Sequence, residues 1–254
     1  MNYTYKFDRR GLCSELNSLM GFYESVINED CQVYINASRS QYFKSVSIYE
    51  VFKFPNIFVD IRQPDSEILS TNEYYKAAQY QYKTRLTAQQ CAGLFSYTDN
   101  FQKKLNKNIS KLVLPSKYKC FHIRRGDKVG ETLCRRADKR GQTEAKRYDF
   151  EDYLKKSDQL IKAIFIMSDD YSSILEAQQH ELNINTLTTE DQTGHSTDLD
   201  KDNDRHYSEE ELVRFFSEIE IAKHAQQFIG AKSSNIFRYI ENQCVTDIDF
   251  ISLD

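Results

Sequence analysis

The sequence predicts an α/β protein whose second half is a parallel sheet flanked by helices. Three observations carry this. From residue 119 onward, short apolar runs alternate with helical stretches at the spacing of strand–helix–strand units. The run 163–167, Ala-Ile-Phe-Ile-Met, is apolar at every position, as a strand buried on both faces requires. Cap signals stand at the seams: Ser208-Glu209-Glu210-Glu211 reads as a capping box, and Ser233-Ser234-Asn235 follows the short run 227–230.

The elements follow in chain order. Leu12, Leu16, Leu19 and Met20, with Phe22 and Tyr23, recur at helical spacing after Gly11 and predict a helix. Runs 31–35 and 56–60 read as short strands, and 71–97, rich in Tyr, Gln, Ala and Lys, as one or two helices. Residues 112–114 and 120–123 read together as a buried approach strand interrupted by Pro115. Beyond it the pattern gives a helix over 149–161, a strand over 163–167, a helix over 172–180 and a weaker strand over 184–187. An acidic loop spans 188–204, then a helix 208–225, a strand 227–230 and a last helix through 241. These signals divide the chain into an N-terminal half, 1–108, and a C-terminal half, 109–254.

A length of 254 residues, 40% hydrophobic and 13% aromatic, suits a folded protein with a sizeable core. The formal net charge of −4 gives no reason to expect nucleic acid as a partner. Six scattered cysteines without a C-x-x-C pair supply neither a zinc site nor a compact disulfide set, so they read as free thiols in a reducing compartment. The N-terminus lacks an apolar signal core, and no 18-residue apolar run occurs, so stable membrane insertion is not expected. The chain reads as soluble and cytoplasmic, although a soluble fragment of a larger or anchored protein would read the same way. Its oligomeric state is not legible.

The richest stretch is 121–131, Phe-His-Ile-Arg-Arg-Gly-Asp-Lys-Val-Gly-Glu. Two guanidiniums at the end of a buried strand are costly unless an anion is bound there, and their planar forks suit phosphate oxygens. The segment 230–235, Gly-Ala-Lys-Ser-Ser-Asn, joins another strand to a helix start, where backbone N–H groups favour anions. Open α/β sheets bind ligands at the carboxyl ends of their strands. Two phosphate-seeking elements in one half therefore point to a nucleotide. The adjacent Asp169-Asp170 pair reads as a helix cap in preference to a metal site.

These residues resemble a known family, the GDP-fucose-dependent fucosyltransferases of the α1,6 and rhizobial nodulation type, related to the protein O-fucosyltransferases. Residues 122–130 are similar to its His-x-Arg-Arg-x-Asp-Lys-Val-Gly signature. Met167-Ser168-Asp169-Asp170, His206-Tyr207-Ser208-Glu209 and Ser233-Ser234-Asn235 with Arg238 resemble further family segments. The resemblance spans roughly 119–243, with a thinner match over 11–17. It implies a GT-B-like architecture of two Rossmann-like lobes, with the donor in the cleft between them. It also implies an inverting, metal-independent transfer to a glycan acceptor.

In that reading Arg124 holds the β-phosphate, His122 and Glu218 read the guanine, and Ser233 and Ser234 contact phosphate. Arg125, Lys128, Asp169 and His206 also fall in the donor site. Glu131 is the candidate catalytic base, one position before the family's glutamate, where Thr132 stands here; Asp127 is the next choice. Gly126 replaces a threonine, and Glu218 an aspartate. The basic segment 132–147 is absent from close family members and reads as either a solvated loop or an acceptor-shaping one. The 17 tyrosines read mainly as core and rim, with a few placed to stack on sugar rings. Alternatives are another nucleotide sugar, such as UDP- or GDP-linked xylose, and a non-catalytic nucleotide- or glycan-binding protein. A nucleic-acid module built on 124–147 is disfavoured by the lack of interleaved aromatics.

Overall fold

The computed structural model describes residues 2–7, 11–59, 73–76, 84–126, 146–194 and 206–254. The chain opens with β1 (Asn2–Lys6), α1 (Leu12–Val26) and β2 (Gln32–Asn36). It continues through α2 (Ile48–Val51), β3 (Phe52–Lys53), β4 (Phe58–Val59) and β5 (Glu73–Lys76). The strands β4-β2-β1-β5 form a four-stranded parallel sheet in that order. Strand β1 forms because its aromatics alternate: Tyr3 and Tyr5 pack their rings on Phe22 of α1, at centroid distances of 6.3 and 5.1 Å.

Next come α3 (Ala88–Leu94), β6 (Ser96–Tyr97), which pairs with β3, and α4 (Asp99–Ile109). The remainder builds the second sheet. Its elements are β7 (Lys119–Ile123), α5 (Phe150–Lys156), β8 (Ala163–Ser168), α6 (Ser172–Ala177) and β9 (Asn183–Thr186). They are followed by α7 (Glu209–Ala222), β10 (Gln227–Gly230), α8 (Asn235–Gln243) and β11 (Asp249–Ser252). The strand order is β11-β10-β7-β8-β9, with every pairing parallel. Because β7–β9 grow one way and β10–β11 the other, the sheet has its topological switch point between β7 and β10. A crevice opens at the strand carboxyl ends at such a point.

Both faces of this sheet are covered. Phe121, Ile123, Ile164, Ile166 and Ile229 face α5 and α6, whereas Cys120, Phe165, Met167 and Phe228 join a larger core shared with the first sheet. The N-terminal half packs directly on the helices of the second. Phe52 and Tyr97 meet Phe216 of α7 at 5.3 and 5.7 Å, and Phe95 meets Tyr239 of α8 at 5.6 Å.

The expected α/β class and C-terminal parallel sheet are present; several local readings need correction. Residues 73–76, expected within a helix, add a strand beside β1. Residues 112–114 do not extend β7: they form an irregular segment after α4 in which Leu112 and Leu114 pack half-buried against the core and Val113 is 88% exposed. Helix α4 and strands β1 and β11 are further elements. No helix among the described residues is long and apolar enough to cross a membrane. The five described cysteines are free thiols.

Candidate functional site

Strand alternation decides what the arginine motif does. Side chains of β7 point alternately to its two faces, so Cys120 and His122 lie under α7 and α8, while Phe121 and Ile123 lie under α5 and α6. The alternation carries past the strand end. Arg124 lines the cleft. Arg125 turns to the opposite face, where its side chain is only 2% exposed and its Nη2 meets Glu176 Oε2 of α6 at 2.7 Å. Arg125 Nη1 also donates to the Tyr148 carbonyl, and the Phe150 amide donates to Glu176 Oε1 at 3.0 Å. Burial alone would raise the Glu176 carboxyl, but the Phe150 amide and the Arg125 guanidinium outweigh it and hold the group below the ordinary carboxylate range. Arg125, expected in the donor site, is thus committed to fastening the start of α5.

The cleft, about 1380 Å³, lies at the carboxyl ends of β7, β8 and β10. His122 and Glu218 are at its floor, 4% and 5% exposed. The His122 ring lies parallel to Phe228 at 6.2 Å. Burial, reinforced by the Arg124 charge, pushes its pKa down to about 3, so the imidazole is neutral. Burial pushes Glu218 up to about 8; the Arg214 charge works against this and that of Asp169 adds to it. His122 Nδ1 and Glu218 Oε1 are both buried without a hydrogen-bond partner among the described residues. Buried polar atoms are rarely left so. Two of them on one cleft floor mark a place where a polar ligand completes the structure.

Glycine shapes this floor. A Cβ on Gly230 would stand 3.3 Å from His122 Cβ and from Phe237 Cδ2, a tight fit that would push on the imidazole and the Phe237 ring. Gly194 has φ +98°, and its Cβ would lie 3.2 Å from Gly126 Cα, which brings the loop after β9 against the turn after Arg124. Asp169 completes that turn: its carboxylate accepts from the amides of Arg125 (2.8 Å) and Gly126 (3.1 Å), and its carbonyl accepts from Gly194 at 2.9 Å. Asp170 Oδ1 accepts from the Ser172 amide at 2.8 Å, the cap-like role expected of one of the pair. Gly194→Ala combines a disfavoured φ with a tight contact on the Gly126 backbone. It is expected to cost about 1–3 kcal/mol, read by thermal melts.

Ser233 and Ser234 line the cleft at the start of α8. Ser234 is the N-cap, its Oγ accepting from the Ile236 amide at 3.3 Å. Part of the anion-seeking backbone here is already satisfied internally: the Asp254 carboxylate accepts from the amides of Lys232 (2.6 Å) and Ser233 (3.1 Å). Arg238 Nη2 donates to the Ser233 carbonyl and Asn235 Oδ1 at 2.8 and 2.9 Å, and Asn17 of α1 ties the Asn235 carbonyl at 2.9 Å. His206 is exposed, outside the cleft lining, with Lys44 Nζ 3.5 Å from its Nε2. Asp127, Lys128 and Glu131 lie outside the described residues.

Among the cleft-lining residues not named as site residues from the sequence are Tyr42, Tyr207, Phe215 and Arg238. Phe215 could have been found from its position three residues before Glu218 on one helix face. Tyr42 had no such signal, because its place depends on contacts across the whole chain.

Two Rossmann-like α/β units, with a polar cleft at the switch point of the second, form a GT-B-like architecture. The NodZ α1,6-fucosyltransferase soaked with GDP-fucose has it, at 10% identity and a TM-score of 0.56, over 96% of this chain and 93% of that one. So does the fucosyltransferase NodZ from Bradyrhizobium, at 9% identity and a TM-score of 0.58, over 100% and 96%. POFUT1 in complex with GDP matches at 9% identity and a TM-score of 0.53, over 99% and 97%. No family model and no curated protein sequence matches the chain. The fold is therefore that of the group which the motifs resemble.

Proposed function

We propose that the protein is a glycosyltransferase that moves fucose from GDP-fucose to a glycan hydroxyl, with inversion and without a metal ion. The observation that carries this reading is the pair of unpartnered buried atoms, His122 Nδ1 and Glu218 Oε1, on the floor of a cleft also lined by Arg124, Ser233 and Ser234. Guanine presents the adjacent donors N1–H and N2–H to one carboxylate, and Glu218 in its ionised form accepts both. Phe215 lies one turn earlier on α7, where a base plane can rest. The guanidinium of Arg124 takes the β-phosphate, with Ser233 and Ser234 beside it.

In the reaction the acceptor oxygen attacks the anomeric carbon from the face opposite the diphosphate. The bond from that carbon to the β-phosphate oxygen breaks, and GDP leaves with the electron pair. Arg124 stabilises the charge that builds on the leaving group, an electrostatic role worth most in a partly dry cleft. A carboxylate receives the hydroxyl proton. We assign this to Glu131, with Asp127 as the next candidate. The halves 1–108 and 109–254 then serve as acceptor-side and donor-side lobes.

Calorimetry with GDP and UDP tests the reading directly. GDP is expected to bind at least tenfold more tightly than UDP, whose base cannot offer Glu218 two adjacent donors. Equal affinities, or none, would remove the guanine reading. Glu131→Gln is expected to abolish transfer while leaving GDP affinity within twofold.

A further inference from the structure

A cleft of about 1380 Å³ exceeds the roughly 300–1,000 Å³ that one small ligand fills. Besides the proposed donor anchors, a pair of aromatic rings lines it. Tyr42 and Tyr207 are the two tyrosines that line the cleft among the described residues. Their centroids are 4.5 Å apart and their planes tilted by 32°, so one ring backs the other. Tyr42 is 4% exposed, whereas Tyr207 is only half-buried.

We propose that Tyr207, backed by Tyr42, is the platform on which a pyranose ring of the acceptor stacks. This rests on the transferase reading above and assigns its acceptor subsite. The axial C–H bonds of a pyranose form a weakly positive, apolar face that suits the negative face of an aromatic ring. Sugar hydroxyls remain at the ring edge, where the phenol group can meet them.

The platform is fixed before any ligand arrives. The Tyr207 amide donates to the Gln41 carbonyl at 3.1 Å, and Gln41 Nε2 donates to the Tyr42 hydroxyl at 3.1 Å. Each ring has only two side-chain torsions to restrain, so little entropy is lost on binding. The backbone bond also joins segment 40–46 of the N-terminal half to the entry of α7, so the platform stands where the two halves meet.

The test uses the GDP-saturated protein and a panel of methyl pyranosides and their disaccharides, followed by saturation-transfer NMR. The wild type is expected to pass saturation to the ring C–H protons of at least one of them. Tyr207→Phe keeps the ring face and is expected to hold the affinity within about threefold. Tyr207→Leu keeps apolar bulk without the ring and is expected to lose tenfold or more, with GDP affinity serving as the check on folding. Equal saturation transfer in wild type and Tyr207→Leu, or none to any pyranoside while GDP binds, overturns the platform and leaves the donor reading standing. Absence of GDP binding to the wild type would instead overturn the donor reading.

Discussion

Glu218→Gln is expected to weaken GDP binding by roughly 10²–10³-fold, since hydrogen bonds to a charged group contribute about 1.5–3 kcal/mol each. An amide offers one acceptor and one donor where guanine needs two acceptors, so one contact is lost and the other turned against the base. The same variant should bind GDP and UDP almost equally.

Proton linkage supplies an independent signature. In the unliganded protein Glu218 titrates at about 8, so at neutral pH it is mostly protonated and must release a proton when guanine binds. GDP affinity should therefore rise with pH up to about 8 and level off above it. Calorimetry in two buffers of different ionisation enthalpy will show the released proton, and Glu218→Gln will show none.

The stability consequence runs the other way. Between the ordinary value of 4.5 and about 8, the folded chain holds a proton that the unfolded chain has released, so this group lowers stability as pH rises across that window. Glu218→Gln removes that loss. Above pH 8 it should melt higher than the wild type while binding GDP worse, a trade-off expected where a binding group is buried without a partner. A variant that melts lower at that pH, or that keeps its GDP affinity, contradicts the assignment.

The C-terminal sheet was legible because parallel strands buried on both faces are continuous apolar runs, and 163–167 is such a run. The N-terminal half was harder to read for a physical reason. Strand β1 carries Tyr3 and Tyr5 with Thr4 between them, and its burial depends on Phe22 of α1. Strand β5 is placed by pairing with β1, a partner far away in sequence. Helix α4 does carry local signals, a Thr98 cap and Phe101 and Leu105 four apart.

At the site, the family resemblance named Arg124, His122, Glu218 and the two serines, all of which line the cleft. It could not separate Arg124 from Arg125, because adjacency in sequence says nothing about face until the strand is known. Nor does it place Tyr207 against Tyr42, which is far away in sequence.

Those adjacent arginines give the second large prediction, a division of labour between neighbouring residues. Arg124→Ala is expected to cut transfer by about 10²–10³-fold, the usual result of removing one preorganised donor from a developing anion. Its melting temperature should barely move, since the side chain is part of a cleft wall. Arg124→Lys keeps the charge but loses the fork, so it should recover only a part of the rate. On the other face, Glu176→Ala strips the carboxylate from a guanidinium that is 2% exposed. Leaving a buried charge unpaired costs about 3–5 kcal/mol, which for a chain of this size lowers the melting temperature by roughly 10 °C. Melting curves and single-turnover transfer rates, measured on the same samples, separate the two effects. Rate loss without destabilisation at Arg124, and destabilisation at Glu176, follow from one cause: strand β7 points successive side chains to opposite faces. Reversed outcomes would place the wrong guanidinium in the cleft and, with it, the register of β7 in error.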